Sequence, residues 1–107
     1  MRASVQILTV ADCPSRRGAV ELVEQVAREL AVEPELELVD VPDLETARRL
    51  RFLGSPTIRV DGRDVEPGAA ARTEYALSCR LYRTAAGVQG RPDVGWIRDA
   101  LLATRPA

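Results

Sequence analysis

The chain has 107 residues, 46% hydrophobic and 29% charged, enough for one modest core and too short for two. Its 15 basic and 16 acidic residues leave a net charge of -1, too balanced for a surface that tracks a phosphate backbone, so no nucleic acid is expected as a partner. Histidine is absent and all 15 basic residues are arginine, which excludes His-based triads and lysine Schiff bases.

Residues 4–10, "SVQILTV", are apolar and β-branched and predict a buried strand. From Pro14 the period changes. Ala19, Val20, Val23, Val26, Ala27 and Leu30 recur at three- and four-residue steps, which predicts an amphipathic helix over about 14–31. Glu24 and Arg28 are spaced to pair on it. Residues 35–41, "ELELVDV", alternate as a second strand. A shorter helix follows, with Asp43 as N-cap and Gly54 as its C-terminal stop. "TIRV", 57–60, is a third strand, and Asp61-Gly62 is a hairpin signal leading into "RDV". Residues 66–78 have no clean period and predict a long loop with at most one helical turn. "CRLYR", 79–83, has the pattern of another strand, and a last helix runs from Pro92 to about Ala103. The expected order is β-α-β-α-β-β-α in a single α/β domain spanning 1–107. A helical crossover makes the first two strands parallel, and the hairpin makes the next two antiparallel.

No apolar run is long enough to cross a bilayer, and the N-terminus carries no small-residue cleavage site after its apolar patch. A cytoplasmic location and no membrane partner are therefore expected. In a reducing compartment the only two cysteines, Cys13 and Cys79, are thiols. Without histidine they cannot close a four-coordinate zinc site, so no resident metal or other cofactor is expected.

The order of elements, with "CPSR" (13–16) after the first strand and "GSPT" (54–57) before the third, resembles the thioredoxin-like superfamily over nearly the whole chain. More narrowly, "FLGSPTIRVDGRDVEP", "LSCRLYR" and "WIRDALL" look like small bacterial thioredoxin-like proteins often labelled alkylmercury lyase-like. The resemblance implies a four-stranded mixed sheet flanked by helices, with strands in the order 2-1-3-4. It also implies a cis bond before Pro56, packed against the active cysteine, with Ser55 offering backbone groups to a bound thiol. Arg16 stands where thioredoxins carry their resolving cysteine, which makes the motif similar to that of a monothiol glutaredoxin. The glycine pair and acidic residue that grip glutathione in those proteins are not evident here.

The local chemistry points the same way. Proline is favoured at the first helical position, so Pro14 there would make Cys13 the N-cap, its sulfur facing the free N–H groups of Ser15 and Arg16. A thiolate accepts such bonds better than a thiol and is favoured by the positive end of the helix dipole. Arg16 and Arg17 add positive charge, against which Asp12 works. The expected function is thiol–disulfide exchange, with Cys13 as nucleophile, Cys79 as the one internal resolving thiol, and Pro14, Ser15, Arg16, Ser55 and Pro56 lining the substrate. The partner would be a low-molecular-weight thiol or a protein disulfide. Two other readings stand beside it. Paired thiolates suit a soft metal ion such as mercury(II) or copper(I), and a thioredoxin fold with a half-filled motif can serve as a non-catalytic interaction module. The bland reading makes both cysteines core residues, Tyr75, Tyr82 and Trp96 packing residues, and Asp61, Asp64 and Glu66 a turn with its surroundings.

Overall fold

The computed structural model describes residues 2–104. β1 (Arg2–Thr9) lies inside a four-stranded mixed sheet of order β2-β1-β3-β4. Its alternation explains that position. Ala3, Val5 and Ile7 are buried on one face, and Leu8 is buried in a separate cluster on the other. α1 (Arg16–Glu29) crosses over to β2 (Glu33–Asp40), which pairs with β1 in parallel from Arg2↔Glu33 to Thr9↔Asp40. α1 lays Ala19, Val23, Val26 and Ala27 against the first face, where Ile97 and Leu101 of α3 (Val94–Leu102) join them. Full burial of each of the Val, Ile and Leu side chains stabilises the fold by about 1.5–3 kcal/mol.

The opposite face is covered by α2 (Leu44–Arg49), where Ala47 packs with Leu8, Val41 and Phe52. Asp43 caps α2 by accepting from the Thr46 N–H at 2.7 Å, and Asp93 caps α3 by accepting from the Gly95 N–H at 2.8 Å. β3 (Thr57–Val60) runs antiparallel to β1, from Leu8↔Thr57 to Val5↔Val60. Asp61 and Gly62, both left-handed at φ 51° and 81°, turn the chain into β4 (Arg63–Asp64). The Ser55–Pro56 peptide bond is cis.

β2 forms one edge of the sheet. Glu33, Glu35 and Glu37 are exposed along it, Arg2 pairs with Glu35 at 3.1 Å, and Gln6 donates to Glu37 at 2.9 Å. Among the described residues no helix is long and apolar enough to cross a membrane.

Several boundaries differ from expectation. Cys79–Arg83 is not a strand of the main sheet: β5 (Tyr82–Thr84) pairs only with β6 (Gly87–Gln89), as a separate hairpin. Alternation alone cannot separate a sheet strand from such a hairpin. The loop after Glu66, by contrast, is as expected, with one short 3-10 turn at Ala69–Ala71. Gly54 does not stop α2, which ends at Arg49 with Leu50 as its cap. Gly54 is needed for another reason, a φ of 130° and a close approach by Arg80. Glu24 and Arg28 form no ion pair among the described residues; Arg17 and Glu21 do, at the same spacing and 3.3 Å.

Candidate functional site

Cys13 lies on the five-residue bend between Val10 and α1, at the end of the sheet where β1 finishes. Asp12 adopts a left-handed φ of 57°, which turns the chain before the cysteine. The backbone N–H of Arg16 donates to the Cys13 carbonyl at 3.2 Å, closing a tight turn over residues 13–16. This corrects the expected cap. Ser15, not Cys13, is the N-cap, its side chain makes no capping bond, and Pro14 lies one residue before it, inside the turn. The Arg16 amide serves the Cys13 carbonyl, because closing a turn with that carbonyl takes up the donor that a sulfur cap would have used.

The arginines beside Cys13 are also engaged. Arg16 donates from Nε to Thr9 Oγ1 at 3.1 Å and forms an ion pair with Asp40, tying the ends of β1 and β2 together. Arg17 pairs with Glu21 on the exposed face of α1. Both guanidiniums therefore have carboxylate partners, which reduces the positive charge expected at the thiol. Cys13 itself is half-buried and is a free thiol.

Ser55 organises this end of the molecule. Just beyond the Leu8↔Thr57 end of the ladder, the Val10 N–H donates to Ser55 Oγ at 3.1 Å. On its other side Ser55 meets the segment around Cys79. The Ser55 N–H donates to the Ser78 carbonyl at 2.8 Å, and the Arg80 N–H donates to the Ser55 carbonyl at 2.9 Å. These two bonds make an isolated parallel bridge between Ser55 and Cys79. The loop after β4 thus brings the chain back beside the start of β3 by residue 79. Cys79 is exposed there, at the same end of the sheet as the bend that carries Cys13. Of the residues singled out in the sequence, Ser55 and Cys79 are held together by backbone bonds. Cys13, Pro14, Ser15 and Arg16 form the neighbouring turn, and both backbone polar groups of Ser55 are already used within the protein.

Beneath Cys79 lies a charge cluster that the sequence does not reveal. Arg80 has a side chain only 1% exposed. Its guanidinium donates to both oxygens of Asp64, at 2.7 and 3.1 Å, to Glu66 at 2.7 Å, and to Thr57 Oγ1 at 3.0 Å. It also lies 4.4 Å above the centroid of the Tyr82 ring. Burial alone would weaken the guanidinium charge, but its hydrogen bonds to Asp64 and Glu66 and the Coulombic attraction of Asp64 more than offset that, so the arginine holds its proton more tightly than usual. Tyr82 is fully buried and donates its hydroxyl to the Pro56 carbonyl. Burial pushes its phenol far above the ordinary value, with the Asp64 and Glu66 charges adding to the effect and Arg80 opposing it. Asp64 and Glu66, expected as turn surroundings, are the counter-ions of this cluster. Arg80 could have been picked out only by its place between Cys79 and a strand pattern, since arginine supplies every basic position of the chain.

Comparison of the chain with protein-family models, with curated proteins and with solved structures finds no match.

Proposed function

We propose that this chain is a thioredoxin-like thiol–disulfide exchange protein, with Cys13 as the attacking thiolate and Cys79 as the internal resolving thiol. The observation that carries the reading is the bridge of Cys79 to Ser55, whose hydroxyl in turn holds Val10 three residues before Cys13. The strand order β2-β1-β3-β4 and the helical crossover between the parallel pair support the fold assignment.

In the proposed cycle the Cys13 thiolate attacks one sulfur of a substrate disulfide. A mixed disulfide forms, and the other substrate sulfur leaves as a thiolate that takes a proton from water. The Cys79 thiolate then attacks the Cys13 sulfur and expels the second substrate thiolate. The substrate gains two electrons and two protons, and the protein ends with a Cys13–Cys79 disulfide. A low-molecular-weight thiol reverses the oxidation by the same exchange. Cys79 stands here for the missing second cysteine at position 16: the partner thiol arrives on a returning loop instead of the next turn of α1.

Mild oxidation with diamide followed by intact mass measurement tests this. The wild-type monomer should lose two hydrogens, which requires Cα atoms within about 7 Å in the oxidised state. Cys79→Ser should give a Cys13-linked dimer or a small-thiol adduct instead. If the wild type also gives only dimer or adduct, Cys79 is not the resolving thiol.

A further inference from the structure

On the α2 side of the sheet, with neither cysteine in its lining, a cleft of about 500 Å³ opens between the C-terminal end of α2, the β3–β4 turn and the 3-10 turn. Its size falls within the range of small-molecule sites, roughly 300–1,000 Å³. Charge distinguishes it from an ordinary surface hollow. Arg51, Arg59, Arg63 and Arg72 line it, against two carboxylates, Asp64 and Glu66. Those two carboxylates are already bound from beneath by Arg80. Arg72 pairs with Glu66 and Glu74. That leaves Arg51, Arg59 and Arg63 with no carboxylate partner among the described residues.

Arg59 anchors the group. It is fixed by donating from one amino nitrogen to the carbonyls of Leu50 and Arg51, the latter at 3.1 Å. Its Nε and second amino group have no protein partner among the described residues. Burial weakens its positive charge, Asp64 offsets this only in part, and Arg80 adds to it, so a bound anion would relieve an existing electrostatic cost. Apolar groups also line the cleft: Leu53, which is buried, with Pro67 and Tyr75.

We propose that this cleft binds a small phosphate monoester carrying an apolar or aromatic body. Three guanidiniums are more than one carboxylate can neutralise, whereas a phosphate dianion offers oxygens to several at once. Leu53, Pro67 and Tyr75 would take the body of the ester. A nucleic acid fits less well, because the chain as a whole carries a net charge of -1.

Calorimetric titration of the full chain with phenyl phosphate, inorganic phosphate and benzoate tests the assignment. Phenyl phosphate should saturate one site with a Kd below about 1 mM and bind at least about tenfold more tightly than either other probe, because each lacks one of the two recognised parts. Arg51→Glu and Arg63→Glu, both at exposed positions and checked for folding by circular dichroism, should each weaken it by at least about fivefold. Cys13→Ser should leave the affinity unchanged, since the site owes nothing to the thiol. Absence of saturable phenyl phosphate binding overturns the proposal. So does equal affinity for benzoate, or an affinity unchanged by both arginine substitutions in folded protein.

Discussion

Asp64→Ala is the sharpest test of the Arg80 cluster. The substitution removes two charge-assisted hydrogen bonds, at 2.7 and 3.1 Å, from a guanidinium that is 1% exposed. Each bond to a charged group contributes about 1.5–3 kcal/mol, and stranding a buried charge costs about 3–5 kcal/mol. Arg80 would not be stranded completely, because Glu66 still accepts from its Nη2 at 2.7 Å and Thr57 Oγ1 from its Nη1 at 3.0 Å. We therefore expect a loss of about 3 kcal/mol for Asp64→Ala, and more when Glu66→Ala is added. For a domain of this size 1 kcal/mol corresponds to roughly 4–8 °C, so Tm should fall by at least about 12 °C. Arg80→Met should cost less, since the carboxylates it leaves behind, 13% and 19% exposed, can be hydrated. Adding Arg80→Met to Asp64→Ala should therefore recover part of the loss, a coupling that a double-mutant cycle reads directly. Thermal and urea unfolding followed by circular dichroism would measure all four variants. A fall in Tm of less than about 3 °C for Asp64→Ala would mean that the Asp64 bonds add little to the stability of the buried arginine.

Two further predictions concern the same region. In Gly54→Ala the new Cβ would sit 2.9 Å from Arg80 Cβ and 3.2 Å from the Ser78 carbonyl oxygen, at a φ of 130° that alanine rarely adopts. We expect a loss of about 1–3 kcal/mol and faster alkylation of Cys79, read by mass spectrometry, as the Ser55 bridge loosens; an unchanged rate would show that the bridge does not need the glycine. Tyr82 ionises above its unfolded value near 10.0, so its contribution to stability is fully present below that pH and is lost as pH rises. In Tyr75→Phe, which leaves Tyr82 as the one tyrosine of the chain, phenolate absorbance should appear together with alkaline unfolding; ionisation while the circular dichroism is still native would contradict the burial of the ring.

The parts of the fold that were legible are those where one local signal matches one structural outcome. "SVQILTV" could only serve as an inner strand, and Asp61-Gly62 could only turn a hairpin, because both residues must be left-handed. The position of Cys13 was legible, but its role in the turn was not. A proline after a candidate cap is compatible with the first helical position and equally with the middle of a turn, and the left-handed Asp12 favours the turn. "CRLYR" misled for a similar reason. Leu81 is 67% exposed and Tyr82 is buried, an alternation shared by sheet strands and by a hairpin standing apart. The Arg80 cluster was out of reach. Its members come from β3, β4 and the returning loop, and no pattern marks one arginine of fifteen as the buried one.

The acidic outer strand bears on how this protein behaves at high concentration. An eight-residue strand with one open edge is a template for zipping onto another chain, and β2 is the longer of the two edge strands. Glu33, Glu35 and Glu37 alternate, so they project from a single face. If a second copy laid its own β2 alongside, glutamates would meet glutamates across the new ladder, an arrangement that destabilises strand pairing. Pro34 also contributes no amide hydrogen to such a ladder. The edge therefore remains open to solvent while resisting copies of itself, and molecules can crowd together without adding strand to strand.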